Sequence, residues 1–238
     1  MKKNIFLGLL VIGLMSVSCR KDTYENVTKP IDISIQNEYD EKAIQQFLKD
    51  NYFDDRGKIV EFSSTDTNDD NEKPLSDYNP VTLPDGTVYI IRSDAQPDSG
   101  ELVGEDDVIN LMQSCYTYVA TNEEGFIKLR SKYPFQNTID GDGVPIKDPL
   151  FFHADEKMMK EMNVGKDYFE IKGFKEAIQN FKGFNLPDEA GYNLQGVIIV
   201  PSKSAFARST NHYNYTGYSL QDRTFVFNFQ IYKAQKRN

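Results

Sequence analysis

The run that most narrows what this chain can fold into is its closing one, Arg223-Thr-Phe-Val-Phe-Asn-Phe-Gln-Ile-Tyr-Lys233. Phe225, Phe227, Phe229 and Ile231 recur there at every second position. Side chains two apart on a strand share a face, so the run predicts a strand with one broad aromatic side. Such a side needs an apolar cover. Upstream, Phe174, Ala177, Ile178 and Phe181 fall at i, i+3, i+4 and i+7, the stripe of an amphipathic helix. Strand-like alternation in Tyr168-Phe-Glu-Ile171 leads into this helix at Gly173, and Gly183 is placed to stop it in the left-handed region. Between helix and closing strand, Gly196-Val-Ile-Ile-Val-Pro201 is a compact buried-strand run. The fold class predicted is α+β: a curved antiparallel β-sheet wrapped around one short α-helix, with an N-terminal helical extension.

These segments carry a family resemblance. Glu170-Ile-Lys-Gly-Phe-Lys-Glu-Ala resembles the "V-I-x-G-W/F-x-E-A" segment of FKBP-type peptidyl-prolyl cis-trans isomerases. Val197-Ile-Ile-Val-Pro-Ser-Lys-Ser-Ala-Phe-Ala207 is similar to that family's "I-P-x-x-L-A-Y-G" strand and loop. Thr224-Phe-Val-Phe-Asn-Phe-Gln-Ile resembles its closing "T-L-V-F-D-V-E-L" strand, and Gly104-Glu-Asp-Asp-Val108 its "G-D-x-V" opening. The resemblance implies an FKBP-like domain over 81–238. Its pocket would place Ile171 as the backbone N–H donor to the substrate carbonyl and Phe174 as the floor. Phe227 and Tyr118 would be walls, and Leu150 would stand where an aromatic wall is usual. Phe206 occupies the position of the loop tyrosine, so that hydroxyl is gone, and Ala207 replaces the glycine after it. The "F-D-S-S" motif has no counterpart, because Leu129 and Arg130 stand where Phe and Asp belong, and 185–195 is an insertion.

From its beginning, the chain opens with Met1-Lys-Lys and an apolar run from Ile5 to Met15, too short to span a bilayer and suited to export. Ser16-Val-Ser-Cys19 then resembles the lipobox of bacterial lipoproteins, which implies a signal peptide over 1–18 and acylation of Cys19. An ordinary secretory signal with an incidental cysteine is the other reading. A polar tether over 19–36 follows, then a helical extension and polar loop over 37–80, with Ile44, Phe47 and Leu48 on one helical face. With Cys19 acylated, Cys115 is alone and is expected to be a buried structural thiol. Asp66, Asn68, Asp70 and Asp77 have the spacing of a calcium loop. However, Asn71 replaces its glycine and no helices flank it, so a turn is expected. The same holds for Asp140-Gly-Asp-Gly143. His153 and His212 lack metal spacing and are expected at the surface or its boundary. Strands are expected in 84–92, in 107–121 with a bulge near Gln113, and in 126–129 after a hairpin at Glu123-Glu-Gly125. A Pro/Gly-bearing insertion is expected at 134–149, and one or two helical turns at 155–162.

A net charge of −9 and a pI near 4.8 argue against a nucleic-acid partner. The partners expected are proline-containing or partly unfolded polypeptides, with the membrane reached through the N-terminal lipid of an envelope lipoprotein, periplasmic or outer-membrane. X-Pro isomerisation crosses a barrier of roughly 18–20 kcal/mol. Lowering it takes no cofactor, metal or nucleophile. It takes an apolar cup that favours the twisted amide, at about 1.4 kcal/mol per tenfold of rate. The departures at Phe206 and the lost "F-D-S-S" motif predict weak isomerase activity or none. The alternative is a non-catalytic peptide-binding, chaperone or partner-docking module on the same fold. Ile171, Phe174 and Phe227 would also be core residues in any helix-on-sheet fold.

Overall fold

The computed structural model describes residues 30–141 and 143–237, and the described residues from 32 onward belong to one compact unit. Cys19, the leader and most of the tether lie outside the described residues. Nine strands and three α-helices are described: α1 (Ile33–Asp50), β1 (Asn51–Phe53), β2 (Ile59–Glu61), β3 (Val81–Thr82), β4 (Val88–Ile91), β5 (Val108–Glu123), β6 (Phe126–Asn137), β7 (Ile146–Lys147), α2 (Glu156–Met162), α3 (Lys172–Ile178), β8 (Gly196–Val200) and β9 (Arg223–Gln235). β1 and β2 form a hairpin. The other seven make one open antiparallel sheet, ordered β3-β4-β8-β9-β5-β6 with β7 on β5. Among the described residues no helix is long and apolar enough to cross a membrane.

Both faces of the sheet are covered, which is why β8 is buried at every residue and carries no alternation. On the inner face Ile198, Val200, Phe225, Phe227, Phe229 and Ile231 meet Phe174, Ala177, Ile178 and Phe181 of α3. The aromatic strand and the helical stripe expected from the sequence thus pack on each other. On the outer face Val197, Ile199 and Val226 meet Ile44, Phe47 and Leu48 of α1. Gly173 lets α3 lie close to the sheet: a Cβ there would stand 2.3 Å from Thr87 Oγ1 and 2.7 Å from Val200.

Several local expectations change. The stretch 168–171 forms no strand. A 3-10 turn occupies Lys166–Tyr168, and Ile171 is the N-cap of α3. Gly183 does not end the helix in the left-handed region. It is glycine because Ala234 lies against it: a Cβ there would stand 2.6 Å from the Ala234 Cβ. β6 runs on to Asn137, so the first part of the expected insertion is strand. The register slips of β5 against β6 fall at Cys115/Tyr116 and Thr117/Val119, and against β9 at Asn110/Leu111. α1 begins at Ile33, inside the expected tether, capped by Asp32, whose carboxylate accepts from Ser34 N at 2.8 Å.

α1 is fixed by a buried carboxylate. Asp40 is fully buried and accepts from Ser202 N at 2.8 Å and from Gln36 Nε2 at 2.9 Å. Loss of water raises its pKa, against the opposing pull of these hydrogen bonds. The unfolded chain therefore releases this proton at lower pH than the folded one. Asp40's contribution is complete below the ordinary carboxylate range and falls as pH rises through the raised value. Asp40→Asn is expected to lose about 1–2 kcal/mol, since the amide turns a donor toward Ser202 N or Gln36. The gap from wild type should narrow from pH 4 to pH 8, as urea midpoints would show.

Candidate functional site

α3 supplies the floor of the candidate site. Phe174 and Phe227 stand with ring centroids 4.4 Å apart, and Phe229 lies 6.1 Å from Phe174. Ile171, Phe174 and Phe227 have no exposed surface at all. The space above the floor is filled by the chain itself. Phe151 stands edge-on to Phe174 at 5.2 Å and tilted to Phe227 at 5.4 Å, with Phe135 at 5.6 Å and Tyr215 at 6.4 Å. The Ile171 N–H donates to the Phe151 carbonyl at 2.8 Å. One residue therefore supplies both the ring over Phe174 and the carbonyl on the Ile171 N–H.

The segment that carries Phe151 is braced from both sides. Phe152 N and His153 N both donate to the Pro149 carbonyl, a tight turn that aims the Phe151 carbonyl at α3. Ala154 N donates to Glu170 Oε1 at 3.0 Å, and Glu170 Oε2 pairs with Lys175 Nζ at 3.0 Å. Both side chains of this pair are about one-tenth exposed, so water screens it little. Tyr215 closes the far side. Its hydroxyl donates to the Phe169 carbonyl at 2.7 Å, and burial pushes its pKa far up, so it stays a neutral donor.

The residues expected in the pocket are only partly brought together. Phe206 is buried at the rim of the aromatic box, 6.2 Å from Tyr215 and 4.8 Å from His212. Leu150 is half-buried and outside that cluster; the wall is its neighbour Phe151. Tyr118 lies on the other face of the sheet, edge-on to Phe47 at 5.8 Å. Cys115 points inward on β5 opposite Phe227, so Tyr116 and Tyr118 face α1. The extra residue of the slip at Thr117/Val119 lies on β6, so β5 alternates unbroken from Cys115 to Tyr118 and the two face opposite sides. Sequence reasoning missed Phe135, Phe151 and Tyr215. Of these, Phe151 was signalled only by its place beside Leu150.

A cavity of about 660 Å³ reaches Phe206 from the side of Tyr168, Lys172 and Ser204, and a second, of about 310 Å³, lies under α1. Neither is lined by Ile171, Phe174 or Phe227. Among the described residues no group of three metal-ligating side chains converges. Asp66 and Asp69 cap turns, accepting from Asn68 N and Ser63 N. His153 and His212 are partly buried. Cys115 is a buried free thiol, with its pKa pushed well up by burial, which suits a structural role.

No family model matches the sequence, and no curated protein matches it significantly. Solved structures do. FkpA from Escherichia coli is 18% identical with a TM-score of 0.38, over 66% of this chain and 52% of that one. The N-terminal domain of FKBP42 from Arabidopsis thaliana is 11% identical with a TM-score of 0.39, over 66% and 92%. A peptidyl-prolyl cis-trans isomerase from Pseudomonas syringae pv. tomato is 12% identical with a TM-score of 0.31, over 66% and 81%. The chain spans about half the length of FkpA. What it is similar to is an FKBP-like fold in divergent form, and a likeness of that degree says nothing of activity.

Proposed function

We propose that this chain is a non-catalytic module on an FKBP-like fold. It holds polypeptide segments in the bacterial envelope and is anchored there by acylated Cys19. The observation that carries the non-catalytic reading is the single residue Phe151, whose carbonyl takes the Ile171 N–H while its ring fills the box over Phe174 and Phe227. A proline could enter only if that ring left. Emptying a buried phenylalanine site costs about 3–5 kcal/mol. At about 1.4 kcal/mol per tenfold, only one molecule in a hundred to several thousand would be open at any time. The phenol missing at Phe206 removes a further donor.

The test is cis-to-trans relaxation of succinyl-Ala-Leu-Pro-Phe-4-nitroanilide with the mature full-length protein. The expected trace matches the uncatalysed one. Acceleration that Phe227→Ala abolishes would overturn the proposal in favour of an active isomerase. Anchoring is checked separately. The wild-type protein should partition with membranes and carry a lipid mass on Cys19, and Cys19→Ser should be released in soluble form.

A further inference from the structure

We infer that the groove under the C-terminal end of α1, on the sheet face opposite the aromatic box, is a binding site for an extended acidic peptide segment. This names the surface for the polypeptide binding proposed above and rests on that reading. The groove encloses about 310 Å³ between α1, the β1–β2 hairpin and strands β5 and β6. Its floor is apolar, from Phe47, Ile59, Leu129 and Val226.

Two buried polar side chains open into this space. Tyr118 is 9% exposed, and its hydroxyl makes no hydrogen bond among the described residues. Ser114, also 9% exposed, lines the same groove, and its hydroxyl likewise has no partner among them. Both hydroxyls are reached from the open groove, so an acceptor on a bound segment would take the place of water on them. Burial raises the Tyr118 pKa, which keeps it a donor at any physiological pH.

The backbone makes room for such an acceptor. Thr117 pairs with Tyr133 and Val119 with Arg130, so Ser131 and Lys132 both stand against the single Tyr118. Ser131 takes a φ of 53°, and β6 bulges there along the outer edge of the sheet. An edge strand with a pocket for alternate side chains is the surface to which an extended peptide adds.

Charge selects the peptide. Lys58, Lys128, Arg130 and Lys132 line the groove against Asp50 and Glu61, in a chain whose net charge is −9. Lys132 has no carboxylate partner among the described residues and lies over the Tyr116 ring at 4.2 Å. The others pair with Asp140, Asp50 and Glu123 through side chains that are about a third or more exposed. Such pairs are worth about 0–1 kcal/mol each and exchange readily for a ligand carboxylate.

The experiment is fluorescence anisotropy of two labelled decapeptides, one alternating Glu with Leu and one alternating Lys with Leu, titrated with the full chain. The acidic peptide is expected to bind at least tenfold more tightly than the basic one. Tyr118→Phe, which removes only the hydroxyl, should weaken it about threefold or more, as a lost hydrogen bond does. Lys132→Glu should weaken it about tenfold, and Lys157→Glu on the exposed α2 should leave it unchanged. Equal affinity for both peptides, binding of neither, or acidic binding indifferent to Tyr118→Phe and Lys132→Glu would each overturn the assignment. A flat isomerase trace together with absent peptide binding overturns the groove alone, whereas proline turnover overturns the non-catalytic reading.

Discussion

Phe151→Ala should unfold with about 3–5 kcal/mol less stability than wild type, the penalty for emptying a fully buried phenylalanine site. For a chain of this size that is a fall of roughly 6–20 °C in melting temperature. The variant should also gain a property that wild type lacks. The space left behind is walled by Phe135, Phe174 and Phe227, with the Tyr215 hydroxyl already engaged by the Phe169 carbonyl, and apolar cavities of this kind stay dry and accept small rings. Saturating benzene or indole should therefore recover part of the lost melting temperature in Phe151→Ala and leave wild type unmoved. Leu150→Ala, one residue away and half-buried outside the box, should cost about 1 kcal/mol and bind no ring. If wild type rises as much as the variant on adding benzene, the box is already open and Phe151 does not close it.

The sequence made the frame legible because two periodicities point at each other. Phe225, Phe227, Phe229 and Ile231 at period two, and Phe174, Ala177, Ile178 and Phe181 at helical spacing, can be satisfied together only by packing face to face. The site was less legible, because its contents depend on register and on what lies beside a motif. Tyr118 was placed by its match to the family pocket, and its odd separation from the inward-facing Cys115 on an unbroken β5 puts it on the other face. Leu150 was placed at a wall by its match to the family pocket, and the wall is its neighbour Phe151, in a turn closed on the Pro149 carbonyl. Nothing in a one-dimensional pattern says that a carbonyl at 151 meets an N–H at 171. That contact is made by the Glu170 brace on Ala154 and by the box that receives the ring. The N-terminal helix, whose apolar stripe is too narrow to stand alone, docks on the sheet as that stripe predicts, and its hairpin goes with it. α1 and the β1–β2 hairpin cover the outer face, and the insertion at 185–195 closes over the same hairpin. Arg56 donates to the Tyr192 carbonyl, and Arg92 to Asn193 and to the Leu194 carbonyl.

A signal for that docking did stand in the closing strand, where Asn228 and Gln230 occupy the two acidic positions of the "T-L-V-F-D-V-E-L" pattern. Gln230 Oε1 accepts from Asn193 N at 2.8 Å, in the insertion. Asn228, 3% exposed, donates to the Gly57 and Gly196 carbonyls and accepts from Ile59 N, so one amide ties β9 to the hairpin and to β8. A carboxylate could accept from Ile59 but would set an oxygen against two carbonyls. Asn228→Asp is therefore expected to cost about 3–5 kcal/mol at neutral pH, the range for an unpaired buried charge. The penalty should depend on pH with a definite sign. Burial raises the pKa of the new carboxyl above the ordinary value near 3.9, so the folded variant holds a proton that the unfolded chain has released. Stability relative to wild type should then be highest near pH 4 and fall as pH rises through the raised value, by at most about 1.4 kcal/mol per unit. Urea midpoints of both proteins from pH 4 to pH 8 measure it. A penalty equal at every pH would mean that water reaches residue 228, and that the hairpin is not seated on β9 as described.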